Sequence, residues 1–231
     1  MFDPGRVAGI AFDLDGTLLD SAPDIAHALD AALGREGLPA FDLATVRGWI
    51  GDGPDALIAK ALAAHGIPAA DQGLRQRLRS AFDEVTLAAP LAHGFVYQGI
   101  EAMLARLNGI VPMAVVTNKP TLLARSVLSA AGLIEHFSSV HGADTAAQRK
   151  PAPVLLHAAA AGLRVEPVCL LMVGDGLADV HAARAAACPM VWVSWGYGAT
   201  HAGSEPRPRQ VDSPQELLSL ILPSKTAVTN P

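Results

Sequence analysis

Four short clusters in the sequence carry side chains whose types and spacing suit a particular chemistry. The first cluster, residues 12–17 (FDLDGT), places Asp13 and Asp15 directly after an apolar run. Two carboxylates about 4 Å apart repel each other by about 4 kcal/mol at an effective dielectric of about 20, so a divalent cation between them is stabilising. Oxygen ligands of this kind suit Mg²⁺. The alternative interpretation is a solvated turn, in which Asp and Gly are common.

The second and third clusters are suited to hold phosphate oxygens. In residues 116–119 (VTNK), the hydroxyl of Thr117 and the amides around Asn118 follow an apolar run and could bind such oxygens. The alternative there is an ordinary helix cap. Lys150 precedes Pro151, a residue favoured at helix entries, and its ammonium could balance the carboxylates and pair with a transferring phosphate. The alternative for a lone lysine is a surface side chain.

The fourth cluster, residues 174–179 (GDGLAD), supplies two more carboxylates. It follows the most apolar run of the chain. Asp175 and Asp179 are four residues apart, so they share one face if a helix begins near Leu177. The alternative for Asp179 is that it only complements the dipole at a helix start.

These clusters need a scaffold that brings them together, and the apolar pattern predicts one. Short continuous apolar runs, typical of strands buried on both faces, cover residues 7–12, 110–116, 168–173 and 190–193. Helical patterns cover residues 100–107, 122–131, 153–161 and 178–187. Alternating strands and helices predict an α/β fold with a doubly wound parallel sheet. In such sheets ligands bind at the carboxyl ends of the strands, where the four clusters fall.

One stretch, residues 21–92, interrupts this alternation and shows no strand pattern. Helical patterns cover residues 23–33, 44–50, 54–64 and 71–87, with Gly and Pro between them. We therefore predict a helical cap over residues 21–92, inserted into a core formed by residues 1–20 and 93–231. A cleft between an insert and its core is a common place for a small-molecule site.

Composition narrows the classes of partner and location. The chain has 231 residues, 51% of them hydrophobic, and a formal net charge of -5 without a long basic run. A sizeable core is therefore expected, and neither nucleic acid nor a membrane is expected as a partner. No secretory signal is visible, and two cysteines do not make a disulfide framework. These features predict a cytoplasmic enzyme, monomeric or homodimeric.

The order of the clusters resembles the motif set of the haloacid dehalogenase superfamily, with Asp13, Thr117, Lys150 and Asp175 at its characteristic positions. Within that superfamily the chain is similar to the phosphoglycolate phosphatase group. The similarity is carried by residues 13–22 (DLDGTLLDSA), 46–54 (VRGWIGDGP) and 117–120 (TNKP). It implies a Rossmann-like core with a helical cap after the first strand. Gly176 departs from the group, which often has Ser or Thr there.

The resemblance also implies a role for each candidate residue. Asp13 would be the nucleophile and Asp15 the general acid and base. The ligands of Mg²⁺ would be Asp13, Asp175, the backbone carbonyl of Asp15 and, in a supporting position, Asp179. The phosphoryl oxygens would be bound by Thr117, Asn118 and Lys150.

The cap would supply substrate selectivity. Arg47 could meet an anionic group of the substrate, since a guanidinium matches a carboxylate, although a solvated helix arginine is an equal alternative. Gly51 would let the cap approach the site closely.

The implied function is Mg²⁺-dependent hydrolysis of a small-molecule phosphate ester, such as phosphoglycolate, through an aspartyl-phosphate intermediate. Three alternatives stay open on the sequence. One is a sugar-phosphate mutase or another phosphotransferase. The second is a phosphatase for an amino-sugar phosphate or a nucleotide, and the third is a non-catalytic module that binds a phosphorylated ligand.

Overall fold

The computed structural model describes residues 4–68, 71–198 and 208–222. The strands, in chain order, are β1 (Gly9–Phe12), β2 (Leu19–Asp20), β3 (Phe95–Val96), β4 (Met113–Thr117), β5 (Ser139–Gly142), β6 (Leu170–Gly174), β7 (Met190–Val193) and β8 (Arg209–Val211). The α-helices are α1 (Ala22–Arg35), α2 (Leu43–Arg47), α3 (Pro54–Ala64), α4 (Gln72–Ala88), α5 (Ile100–Leu107), α6 (Thr121–Ala130), α7 (Val154–Leu163), α8 (Leu177–Ala185) and α9 (Pro214–Ile221).

The central sheet is parallel, with the strand order β5-β4-β1-β6-β7-β8. The first strand lies in the middle, where Phe12 stands opposite Val115 of β4 on one side and Val173 of β6 on the other. The chain therefore extends outwards from β1 in both directions, which is the doubly wound arrangement that the sequence predicts. The carboxyl ends of β4, β1 and β6 are neighbours, at the point where such folds bind their ligands.

Both faces of the sheet are covered by apolar side chains, because alternate residues of a strand point to opposite faces. In β1, Ile10 and Phe12 join the core on the side of α5 and α9, and Ala11 joins the core formed with α7 and α8. A sheet buried on both faces explains why its central strands read as continuous apolar runs.

The predicted strands agree with β1, β4, β6 and β7, but three of the apolar runs extend before the strand begins. Ile110 and Val168 lie outside β4 and β6 and are exposed. No apolar run predicted the outermost strands, β5 and β8, or the short strands β2 and β3, which form a separate two-stranded sheet. An edge strand has one neighbour and tolerates polar side chains such as His141 and Gln210, so its apolar signal is weak.

No helical pattern was predicted for α9. Each predicted pattern agrees with an observed helix to within two residues at each end, except for α2. That helix ends at Arg47 rather than at residue 50, because Gly48 caps it and turns follow. No helix in the described part of the chain has the length and apolar composition needed to cross a bilayer.

Helices α1 to α4 pack around a hydrophobic cluster of their own, which includes Leu29, Ile58 and Leu78. This cap is joined to the sheet by a two-stranded antiparallel ribbon, in which Leu19 of β2 stands opposite Val96 of β3. Beside the ribbon, the carboxylate of Asp24 accepts three backbone N–H bonds from residues 92–94. The domain boundaries at residues 20/21 and 92/93 stay a prediction.

Candidate active site

Three carboxylates from distant parts of the sequence meet at the carboxyl edge of the sheet. Asp13 follows β1, Asp175 follows β6, and Asp179 lies in the first turn of α8. Each contributes an oxygen, and these oxygens all lie within 4.8 Å of one another. All three side chains are buried, Asp179 with only 1% of its surface exposed.

Burial and mutual repulsion make the ionised forms of these acids costly. Burial raises the pKa of Asp13 to about 7, and repulsion from Asp179 adds to the shift. Burial, together with repulsion from Asp13, raises the pKa of Asp175 to about 6. The pKa of Asp179 is also raised, chiefly by burial. A divalent cation among the three oxygens would compensate both effects, and an all-oxygen donor set fits Mg²⁺.

Lys150 lies against two of these acids and is itself buried. Its Nζ donates to Asp179 Oδ1 at 2.6 Å and to the backbone oxygen of Val116 at 3.0 Å, and it lies 2.8 Å from Asp13 Oδ1. Burial alone would lower the pKa of Lys150, but the charges of Asp13 and Asp179 raise it above its ordinary value. The side chain is therefore an ammonium that donates two hydrogen bonds and lies in ion-pair contact with Asp13.

The end of β4 brings Thr117 and Asn118 to the same edge. The hydroxyl of Thr117 is buried and accepts from the backbone N–H of Lys119 at 3.2 Å. The Asn118 side chain donates to the backbone oxygens of Gly51 and Lys150 and accepts from the Lys150 N–H at 2.7 Å. Its amide thus joins the cap loop to the core, and its predicted contact with phosphate stays a prediction.

Asp15, the predicted acid and base, is held by two donors that the sequence analysis did not identify. Lys119 Nζ donates to Asp15 Oδ1 at 2.6 Å, and the hydroxyl of Ser21 donates to the same oxygen. The Lys119 side chain is only 6% exposed. Its position in the VTNK cluster, next to two candidate phosphate ligands, was the signal that could have identified it.

A cleft of about 480 Å³, part of it open to solvent, lies between the sheet edge and the cap. Its polar lining comes from the ends of β1 and β4 and consists of Asp13, Asp15, Thr117, Asn118 and Lys119. Its other lining residues, mostly from the cap, are apolar side chains and glycines: Ile25, Ile50, Gly51, Gly53, Pro54, Leu57, Phe82 and Leu123. The cleft is therefore polar on the side of the acids and apolar on the opposite side.

The cap loop approaches the core at two of these glycines. The carbonyl of Gly51 accepts from Asn118 Nδ2 at 2.8 Å. Gly53 has a φ of +83°, and a Cβ there would lie 2.7 Å from the backbone oxygen of Asn118. Glycine is required at Gly53 by both the backbone angle and the space.

Arg47 is not brought to the lining of this cleft. Its Nη2 lies 3.1 Å from Asp20 Oδ2, and its guanidinium stands 5.6 Å from the centre of the Tyr197 ring. The predicted contact of Arg47 with the substrate stays a prediction that this geometry does not favour.

The sequence analysis missed the loop after β7, residues 195–198 (WGYG). The backbone N–H of Tyr197 donates to Asp175 Oδ2 at 2.8 Å, and its hydroxyl donates to Asp20 Oδ1 at 2.8 Å and accepts from the N–H of Ala22. This residue therefore joins one of the clustered acids to the connection that leads into the cap. The loop follows the carboxyl end of a parallel strand, and that position was the available signal.

The first and fourth clusters are packed directly against each other. Thr17 Oγ1 donates to Asp175 Oδ1 at 2.8 Å. Gly16 has a φ of +89°, and a Cβ at that position would collide with the Asp175 carboxylate. At Gly176, the departure from the group pattern, a Cβ would lie 3.4 Å from Asp179 Oδ2, which is an ordinary contact. The site therefore has room for the Ser or Thr that the group often carries.

The sequence of this chain is similar to those of known hydrolases. A family model described as haloacid dehalogenase-like hydrolase matches residues 7–187. The phosphoglycolate phosphatase of Yersinia pseudotuberculosis is 38% identical over 204 residues, covering 87% of each chain. The phosphoglycolate phosphatase of Rhodospirillum rubrum is 41% identical over 193 residues, covering 81% of this chain and 80% of that one.

A solved structure has the same fold over nearly the whole chain. It is described as a predicted phosphoglycolate phosphatase from Haemophilus somnus and superposes with a TM-score of 0.84. The two sequences are 28% identical, and the match covers 93% of this chain and 98% of that chain.

Proposed function

We propose that this chain, which belongs to the haloacid dehalogenase-like hydrolase family, hydrolyses the phosphate ester of a small metabolite through a phosphoaspartyl intermediate on Asp13. The chain is a phosphatase of that family, as its relatives indicate. The observation that carries the proposed reaction is the cluster of Asp13, Asp175 and Asp179, whose oxygens lie within 4.8 Å of one another. The Lys150 ammonium stands beside two of them.

Each step of the reaction uses a side chain of the cleft. A carboxylate oxygen of Asp13 attacks phosphorus, and the bond between phosphorus and the ester oxygen breaks. Asp15 gives a proton to the leaving alcohol. It then takes a proton from the water that attacks phosphorus, and the P–O bond to Asp13 breaks to release inorganic phosphate. Asp13 and Asp15 line the same cleft, which supports their roles as nucleophile and as general acid and base.

Mg²⁺ is the cofactor that we propose for this site, held by Asp13, Asp175 and the backbone carbonyl of Asp15, with Asp179 in support. When bound, it shields the negative charge of the phosphate from an anionic nucleophile. Thr117 and Lys150 would stabilise the phosphoryl oxygens as their charge redistributes. The raised pKa values of Asp13 and Asp175 support a cation site, because burial and repulsion there have no other full compensation.

Phosphoglycolate is the substrate that we propose, and two observations support it. The curated relatives at 38% and 41% identity are named for that substrate. The cap contributes mainly apolar side chains and glycines to the cleft, so it offers few side-chain partners for the hydroxyl groups of a larger sugar phosphate.

The test is phosphate release from phosphoglycolate by the wild type and by Asp13→Asn, with Mg²⁺ or with a chelator. We expect the chelator to abolish turnover and the variant to lose at least about a thousandfold in kcat, since removing a nucleophile of a catalytic set costs this much or more. Asp83→Asn is the matched control, because Asp83 pairs with Arg79 on α4 and lies outside the cleft.

Two results would contradict the proposal. One is a rate for Asp13→Asn close to that of the wild type. The other is phosphate release that falls when an acceptor sugar is added, with a new sugar phosphate formed in its place, which is the outcome expected of a mutase or phosphotransferase.

A further inference from the structure

We propose that the ammonium group of Lys119 binds a second anionic group of the substrate, and that it thereby selects small phosphate esters with a carboxylate close to the ester oxygen. This inference rests on the proposed function, because it concerns the same cleft and the same reaction.

The donors of Lys119 are the first observation. Its ammonium carries three hydrogens, and within the described ranges it makes one contact, to Asp15 Oδ1 at 2.6 Å. The side chain is 6% exposed and lines the cleft. Buried donors without acceptors are costly, so two unused hydrogens in a cleft indicate a place for a ligand's oxygens.

The other cations near the site have partners of their own. The Lys150 ammonium donates to Val116 and Asp179 and lies 2.8 Å from Asp13, and the proposed reaction assigns it to the phosphoryl oxygens. Arg47 pairs with Asp20, and Arg149 pairs with Asp55. Among the cleft-lining residues in the described part of the chain, Lys119 is the cationic one. A second anionic group of the substrate, beyond the phosphate, would therefore meet Lys119 in the cleft.

The opposite side of the cleft argues against a sugar as the rest of the substrate. The cap presents Ile50, Pro54, Leu57 and Phe82 there. Hydroxyl groups buried against such side chains would lose water without gaining partners. A short substrate with one anionic group beyond the phosphate avoids that cost.

The Lys119–Asp15 pair also limits the distance between the two groups of the substrate. The ester oxygen must come within hydrogen-bond reach of Asp15 to receive its proton, and Lys119 Nζ lies 2.6 Å from the same carboxylate. The ester oxygen and the anionic group are thus anchored to neighbouring atoms. A carboxylate on the carbon that bears the ester oxygen meets this requirement.

The experiment compares two esters that differ only in the anionic group, 2-phosphoglycolate and ethyl phosphate, with wild type, Lys119→Met and Lys119→Arg. The readout is the ratio of their kcat/KM values. We expect Lys119→Met to lower that ratio by about 10- to 100-fold, the loss typical of one hydrogen bond to a charged group. The change should appear as a raised KM for 2-phosphoglycolate, and Lys119→Arg should keep most of the preference.

The matched control is Arg77→Met, which removes an exposed cation that pairs with Glu36 outside the cleft lining and should leave the ratio unchanged. An equal fall for both esters in Lys119→Met would mean that the lysine only positions Asp15, and it would overturn the proposal. So would an unchanged ratio, or a fall in the ratio with Arg47→Met but not with Lys119→Met.

A wild-type measurement keeps the proposal testable if Lys119→Met does not fold. A wild-type ratio near one, with both esters turned over, would overturn the role of Lys119 and leave the proposed phosphatase reaction intact. A wild type that releases phosphate from neither ester with Mg²⁺ would instead contradict the proposed function, and the role of Lys119 would fall with it.

Discussion

Replacing Asp13 by asparagine should stabilise the metal-free protein at neutral pH, even though it removes the proposed nucleophile. In the folded protein without metal, the pKa of Asp13 is raised from 3.8 to about 7, and that value already includes the attraction of Lys150. Between these two pH values the folded state holds a proton that the unfolded state has lost. The free energy of unfolding therefore falls as the pH rises through this window.

The magnitude follows from the size of the shift. At about 1.4 kcal/mol per pKa unit, ionisation of Asp13 costs the metal-free folded state about 4 kcal/mol at pH 7.5 and about 2 kcal/mol at pH 5. An asparagine keeps the shape and carries no charge at either pH, so it avoids this cost. For a chain of this length, about 2–4 °C per kcal/mol gives a rise in Tm of about 8–16 °C at pH 7.5.

The assay is thermal unfolding of wild type and Asp13→Asn in a chelating buffer at pH 7.5 and pH 5. Added Mg²⁺ should stabilise the wild type at pH 7.5 and narrow the difference between the two proteins. The surface change Asp83→Asn is the control for loss of a carboxylate. A Tm of Asp13→Asn at or below that of the wild type at pH 7.5, or a Tm difference that does not shrink at pH 5, would contradict this prediction.

Three further predictions concern the ribbon, the cap loop and the fourth cluster. Asp24→Asn places an amide NH₂ against one of the N–H groups that donate to the Asp24 carboxylate. It should therefore lower the free energy of unfolding by about 1–3 kcal/mol in urea titrations, and a change below about 0.5 kcal/mol would contradict this. Gly53→Ala puts a Cβ 2.7 Å from the Asn118 oxygen and should lower kcat/KM at least about tenfold by displacing the loop; unchanged kinetics would show that the loop adapts. Gly176→Ser meets only ordinary contacts, so Tm should change by no more than about 2 °C, and a large fall would mean that glycine is required there.

The part of the site that could be predicted from sequence is the part that a parallel sheet imposes. Asp13, Thr117 and Asp175 each end a buried strand, and neighbouring parallel strands end at one edge. Their convergence therefore follows from the apolar runs and their order. Asp179 is brought in by helical spacing, because it lies four residues after Asp175 at the start of α8.

The contacts made by loops could not be predicted in this way. The backbone N–H of Tyr197 reaches Asp175 only because of how residues 194–198 turn after β7, and no periodicity encodes that turn. Lys119 is similar, because its place beside two candidate phosphate ligands makes it a candidate but does not tell whether its side chain points to solvent or to Asp15. For Arg47, charge complementarity alone made it a candidate, and the sequence did not indicate its ion pair with Asp20; its contact with the substrate stays a prediction.

The ribbon of β2 and β3 has a consequence for how such proteins diversify. Asp20 stands opposite Phe95, so the chain re-enters the core one strand spacing from where it left. A different polypeptide could be grafted between these two points without shifting a single residue of the sheet, and the entropic penalty of a longer graft grows only slowly with its length. The architecture therefore lets helices α1 to α4 be exchanged while the carboxyl edge of the sheet, with Asp13, Thr117 and Asp175, is inherited unchanged.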